Sequence, residues 1–200
     1  MQWRHIAAAA HIAAASMLFG CAEQPVSLPG QAMPSDRLYG RVEGGWIILL
    51  ENASSLENWD RVGNTHWREI EGAIQADKGS GFLVSKEHYR DFQLRAEFWV
   101  ENNADSGVLI RCANPGNVGS GSCYEVNIED LRPDPGWGTG AIVNVARVSA
   151  MPKATGKWNV YEITARGPQI TVVLNGIPTV NVRDTRLASG PIALEYAGGL

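Results

Sequence analysis

The sequence predicts an all-β domain, a two-sheet antiparallel β-sandwich, and three observations carry that reading. From residue 46 onward short apolar or alternating runs recur between turns of Gly, Asn, Asp and Pro. No long stretch shows the three-to-four residue apolar period of a helix. The runs number about a dozen, at the spacing of a sandwich.

The most regular run is residues 91–100, where Phe92, Leu94, Ala96, Phe98 and Val100 alternate with Gln93, Arg95, Glu97 and Trp99. Side chains of a strand point alternately to its two faces, so this pattern gives one buried and one polar face. Residues 158–166 and 169–174 are two more runs joined at Gly167-Pro168, and Asn175-Gly176 is the pair favoured in two-residue hairpins. Three consecutive antiparallel strands ending near Val182 follow. Weaker runs lie at 46–50, 67–70, 73–77, 82–85, 107–112, 123–129, 141–145 and 192–196.

Ahead of the domain, Arg4 precedes the apolar run 6–18, which is too short to span a bilayer at about 20 residues and fits a secretory leader over residues 1–20. The run ends in Leu18-Phe19-Gly20-Cys21, which resembles the lipobox of bacterial lipoproteins. The resemblance implies lipidation of Cys21 and a lipid-anchored protein facing the periplasm or the cell exterior; a cleaved leader with a free Cys21 is the alternative. Residues 21–45 are rich in Pro, Gly, Ser and Gln and read as a flexible tether, leaving 46–200 as the sandwich.

Two hundred residues less a leader suffice for one domain with a sizeable core. The 17 basic and 21 acidic side chains form no cationic stripe, which argues against nucleic acid as a partner. With Cys21 carrying lipid, Cys112 and Cys123 remain, and an oxidising compartment favours pairing them. A metal site or a catalytic thiol is the sharper reading of those cysteines, without a Cys-x-x-Cys spacing or a nearby His to support it.

Eight stretches, in order, resemble the 3-keto-disaccharide hydrolase domain family, which has the concanavalin A-like lectin/glucanase jelly roll. They are Leu56-Glu57-Asn58-Trp59, residues 89–98 from Tyr89, residues 103–111 (Asn103-Ala104-Asp105-Ser106-Gly107 through Arg111), Tyr124-Glu125-Val126-Asn127-Ile128-Glu129-Asp130, Thr139-Gly140-Ala141-Ile142, Gly156-Lys157-Trp158-Asn159, Leu174-Asn175-Gly176, and Gly190-Pro191-Ile192-Ala193-Leu194. Members of the family usually run on past the last stretch into one more strand, so the resemblance implies a sheet position that is empty or filled from elsewhere.

What the resemblance implies about function is an exported enzyme acting on 3-keto-glycosides, with a non-catalytic glycan-binding or adhesion module as the alternative. The ketone acidifies the C2 proton, so a carboxylate can remove it, the C1 substituent can leave, and water can add. That chemistry needs a base at Glu125 or Glu97, an electrophile such as Arg111 and an acid such as Asp130. Trp99 and Trp137 are the candidate sugar platforms, with Asn103, Asp105, Ser106 and Asn127 as hydroxyl-binding groups.

These residues also have plainer readings. Glu97, Arg111 and Glu125 could form a cross-strand charge ladder worth about 0.2–1 kcal/mol per pair. Asn103, Asp105 and Ser106 are ordinary turn residues. Glu125, Glu129, Asp130 and Asp134 are acidic enough to invite Ca²⁺ or a similar divalent cation, although their spacing is not that of an EF-hand loop. His66 and His88 sit too far apart for a His-rich zinc site. By strand parity Leu109 and Arg111 share one face, and Glu125 and Asn127 another.

Overall fold

The computed structural model describes residues 1–10 and 45–199. Among the described residues thirteen strands are formed: β1 (Gln2–Ala10), β2 (Ile47–Leu50), β3 (Trp59–Gly63), β4 (Trp67–Ile70), β5 (Ala73–Ala76), β6 (Gly81–Ser85), β7 (Phe92–Trp99), β8 (Asp105–Ile110), β9 (Tyr124–Ile128), β10 (Trp158–Arg166), β11 (Gln169–Leu174), β12 (Ile177–Arg183) and β13 (Ala193–Gly198). They build two antiparallel sheets, the larger in the order β12-β11-β10-β7-β1-β5-β4 with β2 paired to β1, the smaller in the order β3-β6-β13-β8-β9. This is the expected sandwich.

The alternation of β7 places Phe92, Leu94, Ala96 and Phe98 in the core, beside Tyr161, Ile163 and Ala165 of β10 and Ile170, Val172 and Leu174 of β11. The smaller sheet answers with Leu83, Val108, Ile110, Tyr124, Val126, Ile128 and Leu194. Burying each such Leu, Ile or Phe stabilises the fold by about 1.5–3 kcal/mol. The expected three-strand run is β10-β11-β12, and Leu174 pairs with Ile177 across a two-residue loop. Asn175 and Gly176 both have positive φ there, 52° and 79°, as a type I′ turn requires.

Two local details differ from expectation. Residues 141–145 form no strand: Asn144 at φ 59° turns the chain back on itself, with Ala146 N donating to Ile142 O at 2.9 Å. The segment still lines the edge of β9, through Val143 N to Glu125 O and Asn127 N to Ala141 O, both 3.0 Å. β3 went unpredicted because its central residues are exposed on a polar-rich strand and show no apolar alternation.

The N-terminus carries an alternative to the leader reading. Residues 1–20 read as a leader, whereas Gln2–Ala10 form β1 in the middle of the larger sheet, paired to β7, β5 and β2. Met1, Trp3 and Ile6 are fully buried in the main core, and Trp3 packs on Phe98 with ring centroids 5.7 Å apart. The backbone reason is that β7 and β5 would otherwise present open edges towards each other. A leader that is removed cannot also be this strand, so the two assignments are alternatives for the same residues. Cys21 and the tether lie outside the described residues.

Candidate active site

The site is built on the outer face of the smaller sheet, where β13, β8 and β9 lie side by side. Glu195 of β13 pairs with Gly107 of β8, and Gly107 pairs in turn with Asn127 of β9. Glu125 lies two residues before Asn127 on the same face, in register with Leu109. By the period of two, Leu194 and Tyr196 enter the core and Glu195 points out.

Gly107 brings the two carboxylates together. A Cβ at that position would lie 3.1 Å from Glu125 Cγ and 3.5 Å from Glu195 Oε2, so both side chains converge on the space that the glycine leaves. Asp105 at the start of β8 shares this face, and Glu129 and Arg132 follow β9, joined by a 2.6 Å ion pair. The floor beside them is apolar: Val84, Leu109, Cys112, Cys123 and Ala193 form a second, small cluster, covered by Val62, Phe82 and Val118.

This surrounding sets the proton affinities. Burial, then the charge of Asp105, pushes Glu125 up to about 7 against the opposing pull of Arg132. Burial, then the charges of Glu125 and Asp105, pushes Glu195 up to about 8. Asp105 is raised as well, by burial and then by Glu129. Asn127 is fully buried; its amide nitrogen donates to Trp137 O at 2.7 Å, while its Oδ1 has no hydrogen-bond partner among the described residues. Trp137 is thereby held beside the site, its ring 5.3 Å from the Arg147 guanidinium, and Arg147 is clamped by both oxygens of Asp134 at 2.6 and 2.8 Å.

The remaining sequence candidates lie elsewhere. Parity puts Arg111 on the face of Leu109, but Arg111 has φ 52°, which breaks the alternation, and its side chain is fully buried. Its guanidinium donates to Arg90 O, Gly167 O and Leu187 O and pairs with Asp91 at 3.1 Å. It ties three loops together. The same break turns Cys112 onto the outer face, where it joins Cys123 in the predicted disulfide just beyond the last pair of the β8–β9 ladder.

Asp130 is likewise fully engaged. Its Oδ2 accepts from Ala154 N, Thr155 N and Thr155 Oγ1 at 2.7–2.9 Å, and its Oδ1 from Thr139 Oγ1 at 2.6 Å. Burial raises its proton affinity, but these bonds outweigh burial and hold the carboxyl below its ordinary range. Glu97 and Trp99 sit on the outer face of the larger sheet, with Arg95 ion-paired to Glu97 at 2.6 Å and Trp99 opposite Trp158. They belong to the opposite side of the sandwich from Glu125. Asn103 is an exposed turn residue, and Ser106 points inward, donating to Glu195 O at 2.7 Å.

The four acidic residues considered for a cation do not converge: Glu129 pairs with Arg132, Asp134 with Arg147, and Asp130 with threonines and amides. Among the described residues no group of three or more His, Cys, Asp or Glu is arranged to hold a metal ion. Glu195 is the functional candidate that sequence reasoning missed. Its signal was a lone acid in the apolar run Ile192-Ala193-Leu194-Glu195-Tyr196, and the partner that gives it meaning is 88 positions away at Gly107.

The sequence profile of the 3-keto-alpha-glucoside-1,2-lyase-like domain matches residues 45–200. Two solved candidate glycosyl hydrolases from Parabacteroides distasonis ATCC 8503 share the fold. One is 21% identical with a TM-score of 0.59, over 70% of this chain and 92% of the other. The second is 15% identical with a TM-score of 0.63, over 72% and 83%. Carbohydrate-binding module CBM66 from Bacillus subtilis is also similar, 18% identical with a TM-score of 0.53, over 69% and 86%. No curated protein matches the chain. The domain is thus carbohydrate-active in kind and glycosyl-hydrolase-like.

Proposed function

Because the chain belongs to the 3-keto-alpha-glucoside-1,2-lyase-like domain family, we propose that its outer-face carboxylate site cleaves 3-keto-glycosides by elimination. The observation that carries this reading is the convergence of Glu125 and Glu195 over Gly107, on an apolar floor that keeps their proton affinities near neutrality. A carboxylate that exchanges its proton near pH 7 is suited to proton transfer at carbon.

Glu125 takes the proton from C2, which the neighbouring ketone acidifies. The electron pair of the C2–H bond forms the C1=C2 bond as the C1–O bond breaks. Water then adds across the double bond, hydroxide to C1 and a proton to C2, so the net reaction is hydrolysis. Asn127 Oδ1, buried and without a hydrogen-bond partner among the described residues, is the acceptor we assign to a sugar hydroxyl, with Trp137 beside it as the candidate sugar platform. Arg132, electrostatically coupled to both glutamates, steadies the negative charge that builds on the ketone oxygen as the C2 proton leaves.

Incubation with a 3-keto-disaccharide tests this reading, following release of the monosaccharide and, in D₂O, entry of deuterium at C2. Turnover with C2 exchange, both lost in Glu125→Gln, is the expected result. Saturable binding without turnover would overturn it in favour of a glycan-binding module on the same sandwich.

Export and lipidation at Cys21 are proposed as well, on the strength of the Leu18-Phe19-Gly20-Cys21 sequence. Labelling of the protein with a radioactive fatty acid, abolished by Cys21→Ser, is the expected outcome; equal labelling of both would overturn it.

A further inference from the structure

Elimination leaves one proton to be supplied, because the departing C1 oxygen takes one up as its bond to carbon breaks. Among the acidic residues near Glu125, Glu129 is committed to Arg132 and Asp130 to four donors. Glu97, the other acid considered from sequence, lies on the opposite sheet. Glu195 faces Glu125 across a residue with no side chain, and both carboxylates border the same opening.

On the reading of the site given above, we infer that Glu195 is the general acid of the cleavage, protonating the leaving oxygen while Glu125 removes the C2 proton. Gly107 is what makes the pairing geometrically available: any side chain there would stand between the two carboxylates. Two carboxylates held this close on an apolar floor cannot both ionise readily, so at neutral pH the pair holds one proton. We place it on Glu195, whose carboxyl is buried and faces the charges of both Glu125 and Asp105.

The cycle closes without another group. After elimination Glu195 is a carboxylate and Glu125 an acid. Glu195 then takes a proton from water as hydroxide adds to C1, and Glu125 returns its proton to C2. Both side chains are back in their starting forms, and the net consumption is one water.

An acid is needed most when the leaving group is a poor one. The test therefore compares wild type, Glu195→Gln and Glu125→Gln on two 3-keto-glucosides, one with an alkyl alcohol as leaving group and one with 4-nitrophenol. The loss expected of Glu195→Gln on the alkyl substrate is about 100-fold or more, in the usual range for a general acid. On the nitrophenyl substrate its loss is expected to stay below about tenfold. Glu125→Gln loses both activities.

Wild-type pH profiles supply an independent reading if the variant does not fold. The alkyl substrate should lose rate above about pH 8, as Glu195 deprotonates, while the nitrophenyl substrate should not. Equal losses on both substrates, or superimposable pH profiles, would overturn the role of Glu195 and leave the elimination reading standing. Absence of wild-type turnover on either substrate would overturn both.

Discussion

The glutamate pair has a consequence for stability that can be measured without any substrate. Below about 4.5, the ordinary glutamate value, folded and unfolded chains both hold the Glu195 proton. Between there and about 8 the unfolded chain has released it and the native state retains it, so native stability falls as pH rises; above 8 the fall is complete. At roughly 1.4 kcal/mol per pH unit the whole interval corresponds to about 5 kcal/mol, and partial solvation of the side chain reduces the expected loss to about 2–3 kcal/mol. Glu195→Gln removes the titrating group, so the variant should lose less stability over the same range. Urea unfolding of both proteins at pH 5, 7 and 9 reads this directly: similar free energies at pH 5 and a variant about 2–3 kcal/mol more stable at pH 9 are expected. Parallel pH curves for the two proteins would refute the buried, proton-sharing arrangement.

Other perturbations separate scaffold from chemistry. Asp130→Asn turns an NH₂ towards donors that now meet a carboxylate; a loss of about 2–4 kcal/mol in urea unfolding is expected, with the dependence on leaving group unchanged. Trp137→Ala should raise KM for a 3-keto-disaccharide with a smaller effect on kcat, measured by steady-state kinetics, because Trp137 is tied to the site through Asn127 and is no member of the proton-transfer pair. Deleting residues 1–10 withdraws Met1, Trp3 and Ile6 from the core; at about 1.5–3 kcal/mol per buried side chain, several kcal/mol of stability should be lost, with faster amide exchange in β7. A lipoprotein processed ahead of Cys21 would lack the same residues, and the mass of the mature N-terminus decides between leader and strand.

Much of the architecture was legible because burial in a sheet writes its period directly into the sequence. Residues 67–70, 158–166 and 169–174 are strands with the predicted bounds, and the Asn175-Gly176 turn follows from what only a few residues can do at positive φ. Face assignments held wherever the backbone stayed regular, as at Glu125 with Asn127 and at Glu97 with Trp99. They failed at Arg111, where one left-handed residue reset the alternation. Which strands are neighbours is a long-range property that local pattern does not carry: a charge ladder of Glu97, Arg111 and Glu125 needs β7 beside β8 and β9, and β7 lies in the other sheet. Glu195 escaped for the same reason, since a single acid in an apolar run acquires its role only when β13 is placed beside β8.

The charged residues of this domain divide according to whether their partners are present. Arg111 and Asp130 are buried or half-buried ions with every direction of approach filled, by carbonyls and Asp91 in one case and by amides and hydroxyls in the other. Such satisfaction fixes loops in place and lowers reactivity, because moving a proton would break the network that holds the group ionised. Glu125 and Glu195 are the reverse case: their proton affinities are set by burial and by like charge, and the one cation acting on them among the described residues, Arg132, is already paired with Glu129. A native state tolerates that frustration at a cost in stability, and what it gains is a proton that can move near pH 7. Charge alone does not separate these two kinds of residue; unmet electrostatic demand does, and it marks Glu125 and Glu195.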